Sequence, residues 1–519
     1  MRHGEQRFEI IGQQGALERK RSSLQIVGAE DDAPLDWRTA YTRLFEPAEE
    51  SELLPHSLLA ELGGLMSTRP APDNAESCIP AGYTYIGQFI AHDLTRAQIL
   101  QDGSVFNNNR SSALDLDSVF GELEVDIASL DLAEHVFQCN QVKIGATYPT
   151  RSGINHNDLP RSQRGVAIVP DQRNDDHVAL SQTHVSILRF CKALLQSGRC
   201  ASTSEAINTT IICFQYAILN DYLKTIICPD VYQVILSDSY EPLNGRVTVN
   251  NEEKFLIPIE FSVAAFRFGH SMVRERYHFW NKQLGMHDVE LQRFFENSAK
   301  FDEDGIVSNN LANGRLRAEW ASDWWRLLSF EGLDSAGFQD AEHPFIKAAP
   351  IDTNIAGPLI ALEPNSAVSQ APEDPFISSN LATRTLIRGR QSQVATAQHV
   401  FSVLQDRDFF EIEEITKYQL YDSDDVAKSI LFNQRAPNNI PEKTPLWYYI
   451  LREAELHAGG NHLGKIGSII VMDTIVESIR AADVNIFLGA EDSIVGIFDL
   501  QKGRFLSQFM ELAYNRRSI

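Results

Sequence analysis

The stretch YIGQFIAHDLT, residues 85–95, decides how this chain is interpreted. Its apolar residues predict a buried helix, yet it contains Gln88, His92 and Asp93, which are costly to bury without partners. Gln88 and His92 are one helical turn apart and share a face, whereas Asp93 is rotated by about a quarter turn. An amide and an imidazole on one face suit proton transfer to a small ligand. The other interpretation is a core histidine that pairs with the neighbouring glutamine.

The composition is that of a globular protein. The chain has 519 residues, of which 43% are hydrophobic and 22% are charged, so two compact units or one large helical unit would both fit. The formal net charge of -24 argues against non-specific binding to nucleic acid or to an anionic membrane. The sequence shows neither a secretory signal nor a membrane span. We therefore expect a cytoplasmic protein, or one exported without a visible signal peptide, with reduced buried thiols rather than disulfides.

Apolar periodicity predicts a mainly α fold. The helical segments are predicted at 178–195, 203–227, 259–284, 316–328, 394–405, 444–457 and 466–481. Strand signals are few and short, as at 246–250, and turn residues mark loops at 101–112, 147–175, 301–314 and 362–380. A polar N-terminal arm, residues 1–35, precedes one large domain, residues 36–519, whose site we expect between helices.

Three further stretches place polar groups near predicted helices. Arg173 lies in a polar loop just before the helix at 178–195, and His270 follows Gly269 in an apolar run. Asp115 and Asp117 alternate in a short loop, as the oxygen ligands of hard cations do. Taken singly, each has a plain structural explanation: a surface ion pair, a core histidine and a solvated turn.

Together and in this order, these stretches resemble the animal-type haem peroxidases of the peroxidase–cyclooxygenase superfamily and their bacterial relatives. The resemblance begins at YTRLFEPAEESELLPHSLLAELGGLM and runs through GQFIAHDLT, LDLDSVFG, RNDDHVALSQTH, AFRFGHSMV and NLATRTLIRGR to TPLWYYILREAELHAGGNHLGKIGSIIV, collinear over about 430 residues. It implies a large, mostly α-helical domain that holds haem b between helices.

The resemblance also assigns roles in a reaction with hydrogen peroxide. His92 corresponds to the distal histidine, which moves a proton between the two peroxide oxygens. Arg173 corresponds to the distal arginine, which stabilises the charge on the departing oxygen, and Gln88 to the distal glutamine. His270 corresponds to the proximal iron ligand, with Arg267 in the same motif.

The contacts to haem depart from the family pattern at three positions. Thr385 stands where the family usually has an asparagine that accepts the ring N–H of the proximal histidine, and a hydroxyl is a poorer acceptor there. Ala91 occupies one of two positions that form ester links to haem, and Asp176 occupies the other in place of a glutamate. At most one ester link, through Asp176, is therefore expected. Arg388, with Arg390, is expected to face the haem propionates.

A calcium site follows from the same resemblance. Its ligands would be Asp93, the hydroxyl of Ser111, the carbonyl of Ala113, Asp115 and Asp117. A set made only of oxygen atoms fits Ca²⁺, and the cation would tie the predicted helix of His92 to the loop.

The function implied is a peroxidase that reduces hydrogen peroxide and oxidises a small-molecule electron donor or a halide. Two alternatives stay open. A fatty-acid oxygenase of the same superfamily would carry a radical-forming tyrosine one turn before the proximal histidine, where this chain has Arg267. A haem-binding or haem-free member without activity is suggested by Ala91, Asp176 and Thr385 together.

Overall fold

The chain was analysed as a computed structural model. It describes residues 41–67, 77–99, 105–121, 137–138, 141–243, 247–249, 252–298, 310–339, 345–360, 379–407, 410–421, 426–434, 438–489 and 491–515. The predicted arm at 1–35 lies outside the described residues, as do most of the predicted loops at 301–314 and 362–380.

Helices carry the fold, and the predicted mainly α class is confirmed. The α-helices are α1 (His56–Met66), α2 (Gly82–Leu94), α3 (Asp117–Phe120), α4 (Val178–Gln196), α5 (Thr203–Ala217), α6 (Lys224–Ile226), α7 (Pro229–Ile235), α8 (Ile259–Val263), α9 (Gln292–Glu296), α10 (Trp324–Leu327), α11 (Leu381–Gln391), α12 (Ala397–Gln405), α13 (Val426–Phe432), α14 (Leu446–Ala458), α15 (Lys465–Ala481), α16 (Glu491–Ile494) and α17 (Phe505–Ala513).

Tighter and wider helical turns connect several of these helices. A π-helical segment, Ile218–Leu223, joins α5 to α6. The 3₁₀ segments are Glu50–Glu52, Gln172–Asp175, Ala265–His270, Lys282–Leu284, Ala318–Trp320, Asp334–Phe338, Gly357–Ile360, Ile440–Glu442 and Ile486–Leu488. Gln172–Asp175 and Ala265–His270 matter most, because they carry the residues singled out in the sequence.

The strands form short pairs within the described residues. They are β1 (Tyr41–Thr42), β2 (Ala97–Ile99), β3 (Val105–Asn108), β4 (Phe137–Gln138), β5 (Gln141–Val142), β6 (Gly145–Ala146), β7 (Asn157–Asp158), β8 (Val247–Val249), β9 (Glu252–Lys254), β10 (Ile257–Pro258), β11 (Arg276–Asn281) and β12 (Met286–Glu290). β1 pairs with β10 in parallel, with Tyr41 opposite Ile257. The other pairs are antiparallel: β2 with β3, β4 with β5, β6 with β7, β8 with β9, and β11 with β12.

Five of the predicted helical segments are confirmed to within three residues, as α4, α5 with its π-helical continuation through α6, α12, α14 and α15. The predicted helix at 259–284 is wrong: α8 ends at Val263, a 3₁₀ turn follows, and the chain then forms β11. Ala264, with φ -130° and ψ -75°, breaks the helix. The prediction at 316–328 is wrong in extent, because only Ala318–Trp320 and α10 are helical there.

One hydrophobic core links β1 to α17. In it Phe190 of α4 stacks on Phe509 of α17, with ring centroids 3.7 Å apart. α2 is buried along most of its length and packs against α4 and against the 3₁₀ segment Ala265–His270. This packing brings His92 and His270 to neighbouring elements, although 178 positions separate them in sequence.

The described cysteines form no disulfide with one another. Cys191, Cys200 and Cys213 are buried, but Cys78 is exposed, so the expectation of burial is wrong for Cys78. Cys139 lies outside the described residues. None of the described helices has the length and apolar content needed to cross a membrane.

Candidate active site

His92 is a buried histidine in the last turn of α2 whose protonation pattern is fixed by Asn174. The Asn174 amide nitrogen donates to the carbonyl of Ser118 at 3.1 Å, so the amide oxygen is the atom that faces His92, 3.2 Å from Nδ1. Nδ1 of His92 therefore carries the proton, and Nε2 presents a lone pair. Burial, together with the cation of Arg173, lowers the pKa of His92 to about 3. His92 is thus a neutral base at physiological pH.

Arg173 lies beside His92 and is held from several directions. Its Nη1 donates to the carbonyl of Thr95 at 2.8 Å, and its Nη2 donates to the carbonyl of His92 at 2.9 Å. These carbonyls belong to the C-terminal end of α2, which carries partial negative charge. Nε and Nη2 also bind Asp171, at 3.0 and 2.6 Å. The Arg173 side chain is 22% exposed while that of Asp171 is fully buried, so one edge of a fixed cation remains open.

Gln88 pairs with His177 rather than with His92. His177 caps the N-terminus of α4, where its Nδ1 accepts from the backbone of Leu180 at 3.4 Å. Its Nε2 therefore carries the proton and donates to Oε1 of Gln88 at 3.0 Å. Burial lowers the pKa of His177 to about 3. The interpretation of His92 as a core histidine satisfied by Gln88 is wrong, since Asn174 is its partner.

His270 ends the 3₁₀ segment Ala265–His270, and its ring N–H has one weak acceptor among the described residues. Its Nδ1 lies 3.5 Å from Oγ1 of Thr385, at the limit of a hydrogen bond. The Thr385 hydroxyl donates its own proton to the carbonyl of Leu381 at 2.8 Å. Burial, and then the cations of Arg267 and Arg384, lower the pKa of His270 to about 3. A neutral imidazole is the form that binds a metal.

Three half-buried arginines form a cationic cluster near His270. Burial lowers the pKa of Arg388 to about 10, and the charges of Arg267 and Arg384 add to the effect. Arg267 donates from Nε to the carbonyl of Ser262 at 3.0 Å. Nη1 of Arg388 and Nε of Arg384 are buried and have no hydrogen-bond partner among the described residues. Such a cluster fits an anionic ligand that carries carboxylates.

Arg390 is turned away from that cluster. Its Nε donates to the carbonyl of Leu54 at 2.8 Å, and its Nη2 forms an ion pair with Glu50. The surface contact, rather than a position facing a cofactor, is what the structure shows for Arg390.

Tyr41 connects the two halves of the site. It is fully buried, and its hydroxyl lies 3.1 Å from Oγ of Ser262. Burial raises the pKa of Tyr41 to about 12, although Ser262 and the cations of Arg267 and Arg173 act in the opposite direction. Because the charges of Arg173 and Arg267 both act on the pKa of this phenol, the group around His92 and the group around His270 lie in the same part of the molecule.

The three predicted acidic ligands come together. Carboxylate oxygens of Asp93, Asp115 and Asp117 lie within 4.8 Å of one another. Asp93 accepts the backbone N–H of Leu116 at 2.9 Å and both the N–H and the hydroxyl of Ser118, at 3.2 and 2.6 Å. Burial, and then repulsion by Asp117, raise the pKa of Asp93 well above its usual value and that of Asp115 to about 7.

The remaining two predicted donors lie in the same loop. Oγ of Ser111 is 3.4 Å from the carbonyl oxygen of Ala113 and 3.3 Å from Oδ2 of Asp115. Oδ1 of Asp117 is buried and has no hydrogen-bond partner among the described residues. An oxygen-rich cluster of like charges with an unpartnered buried oxygen fits a hard cation.

Asp176 and Ala91 lie at the ends of two of these elements. Asp176 follows the 3₁₀ segment Gln172–Asp175, is half-buried, and accepts the hydroxyl of Ser298 at its carbonyl at 2.9 Å. Ala91 is half-buried, and its carbonyl accepts the hydroxyl and the N–H of Thr95. Its methyl side chain offers no ligand atom.

Sequence reasoning missed Asp171, Asn174 and Arg384. Arg384 was detectable, because it precedes Arg388 by four residues and so shares its helix face. Asp171 and Asn174 lie in a polar loop, where such residues usually serve turns. Nothing in their spacing indicated that they would contact Arg173 and His92.

The chain was compared with family models and with known proteins. The sequence model of the animal haem peroxidase family matches residues 102–319. No curated protein matches the chain at a significant level. The matched range contains Arg173, His270, Asp115 and Asp117, whereas His92 lies outside it.

Three solved structures resemble the chain. Peroxidase A from Dictyostelium discoideum is 13% identical, with 91% of this chain and 90% of that chain covered and a TM-score of 0.48. A fatty acid alpha-dioxygenase from Arabidopsis thaliana is 12% identical, with coverages of 92% and 77% and a TM-score of 0.55. A fatty acid alpha-dioxygenase from Oryza sativa is 14% identical, with coverages of 92% and 80% and a TM-score of 0.54. The two dioxygenases share the fold of this chain.

Proposed function

We propose that this chain, of which residues 102–319 match the model of the animal haem peroxidase family, is a haem-dependent peroxidase of the peroxidase–cyclooxygenase superfamily. It would reduce hydrogen peroxide to water and oxidise a small-molecule electron donor or a halide. The observation that carries the proposal is the pairing of a neutral His92, whose Nε2 is free of a proton, with the fixed cation of Arg173.

The residues present fit haem. The buried N–H groups of Arg388 and Arg384 that lack partners among the described residues would bind the propionates of haem b, and His270 would be the iron ligand. Asp176 is the one position for an ester link, because Ala91 cannot form one. Haem, when bound, would supply the iron at which the O–O bond of peroxide is cleaved.

The side chains of this protein would then transfer the proton and stabilise the developing negative charge. Nε2 of His92 takes the proton from one peroxide oxygen and returns it to the other, which leaves as water. Because Asn174 keeps the proton on Nδ1, the ring returns to the same tautomer after each turnover. Arg173 offsets the negative charge that develops on the departing oxygen. Gln88, whose Oε1 is engaged by His177, would hold water or a halide through its amide nitrogen.

The loop at residues 111–117, which we call the acidic loop, would bind Ca²⁺ through Ser111, Ala113, Asp115 and Asp117. Asp93 of α2 would complete the set of ligands. The support is the convergence of their oxygen atoms and the raised pKa values of Asp93 and Asp115, which burial and the charge of Asp117 produce. Since Asp93 directly follows His92, the cation would fix the end of α2 from which His92 acts.

A fatty-acid oxygenase is the second candidate, because two of the similar structures are fatty acid alpha-dioxygenases. Against it stands Arg267, which occupies the position of the family's radical-forming tyrosine. The nearby Tyr277 packs against Tyr85 and Phe294, with ring centroids 6.0 and 5.0 Å away. It therefore belongs to an aromatic cluster beside α2.

The test uses the purified protein reconstituted with haemin. We expect a Soret band and peroxide-dependent oxidation of a phenolic dye. His92→Ala should lower the rate of the reaction with peroxide by about 10²- to 10⁴-fold, whereas His287→Ala, at an exposed position of β12, should not change it.

Three results would count against the proposal. A full rate in His92→Ala would remove His92 as the base. Oxygen uptake that depends on a fatty acid, without oxidation of the dye by peroxide, would favour the oxygenase. Failure to bind haemin would exclude both enzymes and leave a haem-free member of the superfamily.

A further inference from the structure

A series of ion pairs connects the acidic loop to Arg173. Oδ2 of Asp117 lies 3.6 Å from Nη1 of Arg110. Nη2 of Arg110 lies 2.6 Å from Oδ2 of Asp171, and the same oxygen lies 2.6 Å from Nη2 of Arg173. We call these four residues the arginine bridge. Its two central side chains are shielded from water, since Arg110 is 8% exposed and Asp171 is fully buried.

We propose that Asp171 is a positioning residue that holds the Arg173 guanidinium in one orientation and, through Arg110, couples this guanidinium to the acidic loop. The functional meaning of this role rests on the proposed peroxidase activity, in which Arg173 must meet a developing negative charge at a fixed place.

Asp171 contacts both the backbone and the guanidinium group of Arg173. Oδ1 accepts the backbone N–H of Arg173 at 2.9 Å and its Nε at 3.0 Å, while Oδ2 accepts Nη2. A carboxylate that binds a guanidinium through two of its nitrogens fixes the plane of that group. With the carbonyls of Thr95 and His92 on the other side, Arg173 cannot rotate without breaking several hydrogen bonds.

Asp171 has to satisfy two cations with one charge. Burial alone would raise the pKa of Asp171, but Arg173, His92 and Arg110 together hold it well below its usual range. Without that charge, Arg110 and Arg173 would repel each other in a poorly solvated place. Arg110 would then turn toward Asp117, and its cation would compete there with a bound metal ion.

The chain provides a matched control in Asp175. It ends the 3₁₀ segment Gln172–Asp175, for which Asp171 is the N-cap residue. Asp175 is buried and binds both terminal nitrogens of the buried Arg161 side chain, at 2.6 and 2.7 Å. Arg161 leads to Asp158 at 2.9 Å and not to Arg173. Asp175→Asn therefore removes a buried carboxylate of the same chemistry four residues from Asp171, while it leaves the four residues of the arginine bridge unchanged.

The experiment compares the wild type, Asp171→Asn and Asp175→Asn, each loaded with haem. We measure the rate constant for hydrogen peroxide, the affinity for fluoride as a small anion, and the stability toward urea. Asp171→Asn should lose roughly 10- to 100-fold in both the rate and the fluoride affinity, as substitutions of supporting residues commonly do. Asp175→Asn should stay close to the wild type in both, although both variants lose stability.

The coupling to the loop is measured in the haem-free protein with Tb³⁺ alone, by its luminescence. Asp171→Asn should bind Tb³⁺ more weakly than Asp175→Asn, because Arg110 is released toward Asp117. Equal Tb³⁺ affinities in the two variants would overturn the coupling.

The remaining outcomes separate this proposal from the proposed function. Equal losses of fluoride affinity in both variants would overturn the positioning role, since general destabilisation would explain them. A wild type that binds fluoride but does not react with peroxide would refute the peroxidase, and the fluoride comparison would still decide the role of Asp171.

If Asp171→Asn does not fold, Asp171→Glu keeps the charge and moves it by one methylene, and unchanged fluoride affinity would overturn the proposal. If haem is not taken up, crystal structures of the apoprotein variants decide: Arg173 should leave the carbonyls of His92 and Thr95 only in the Asp171 variant, and an unmoved Arg173 would overturn the role.

Discussion

Thr385 determines the strength of the hydrogen bond that the ring N–H of His270 can donate. The contact between His270 Nδ1 and Thr385 Oγ1 is long, 3.5 Å, and the hydroxyl proton is committed to Leu381. A stronger acceptor at this place would make the imidazole a better electron donor to a bound metal ion. Asparagine has nearly the volume of threonine and carries an amide oxygen.

We expect Thr385→Asn to lower the midpoint potential of the haem-loaded protein. A hydrogen bond that favours the oxidised form by about 1 kcal/mol corresponds to a shift of about 40 mV for one electron. Thr385→Val, which removes the hydroxyl at similar volume, should leave the potential nearly unchanged because the present contact is weak. A spectroelectrochemical titration measures both, and a large positive shift in Thr385→Val would show that the hydroxyl is already a strong acceptor.

The residues proposed to carry the chemistry were easier to assign from the sequence than the residues that hold them. His92, Arg173 and His270 were proposed from the family resemblance, and each has the type of side chain that its proposed task of proton transfer, charge stabilisation or metal binding requires. Asp171 and Asn174 could not be assigned, since an acceptor can be an amide, a carboxylate or a carbonyl from anywhere in the fold. Only the folded structure shows that Asn174 sets the tautomer of His92.

At the scale of elements, α2 depends on a close crossing at Gly87. A Cβ atom at this position would overlap the hydroxyl of Tyr222 in the π-helical segment Ile218–Leu223. Gly87 therefore allows α2 to lie against that segment. Gln88 is the next residue, so the same close packing sets the position of its side chain.

We expect Gly87→Ala to destabilise the protein by about 1–3 kcal/mol through overpacking, despite the better helix propensity of alanine. Gly64→Ala is the matched control, because Gly64 lies in α1 and a Cβ there would contact nothing within 4 Å; it should be neutral or stabilising. Urea unfolding measures both. The double variant Gly87→Ala/Tyr222→Phe should recover part of the loss, and no recovery would show that the strain lies elsewhere.

The acidic loop between β3 and α3 would gain stability from a bound cation. Leu116 has a left-handed backbone, with φ 58°, which costs a non-glycine residue roughly 1–2 kcal/mol. It is held by Asp93, whose Oδ2 accepts its N–H at 2.9 Å. The carboxyl groups of Asp93, Asp115 and Asp117 converge at this strained turn, and a bound cation would reduce their mutual repulsion.

We expect Ca²⁺ to raise the free energy of unfolding, by about 2.7 kcal/mol at a concentration 100 times its Kd. Asp115→Asn should remove most of this gain, while Asp288→Asn, at an exposed position of β12, should keep it. Urea unfolding with CaCl₂ or with a chelator gives the comparison. An equal stability of the wild type in both solutions would contradict a calcium site.

Helices with regular apolar spacing were predictable, and the region around His270 was not. α4, α14 and α15 show the expected pattern because each buries one face or more in the same core. The stretch from 259 to 284 is apolar enough for a helix, but Tyr277 and Trp280 instead turn inward from β11. Gly285, with φ 83°, then allows the tight turn into β12. Only pairing with β12 distinguishes this hairpin from a buried helix.

At the scale of the whole molecule, buried carboxyl groups help to join one helix of the core to the next. Glu453 is the clearest case: it is fully buried in α14, and its carboxylate accepts the N–H groups of Ile466 and Gly467 at the start of α15, at 3.1 and 3.3 Å. Burial raises the pKa of Glu453 to about 7 even though these N–H groups act to lower it. Folding therefore takes up a proton here between the pKa of the unfolded chain and that of the native state.

This proton sets a pH dependence with a definite sign. Because the folded pKa, about 7, lies above the unfolded value of about 4.5, the contribution to stability is fully present below the unfolded pKa and is lost as the pH rises through the folded one. Glu453→Gln keeps the shape and cannot ionise. Between pH 5.5 and 8 the wild type should therefore lose about 2 kcal/mol relative to Glu453→Gln. Glu61→Gln, on the exposed face of α1, should follow the wild type. Urea unfolding of the three proteins across this range measures the difference, and parallel curves for the wild type and Glu453→Gln would mean that Glu453 is ionised throughout and that the N–H groups of α15 outweigh its burial.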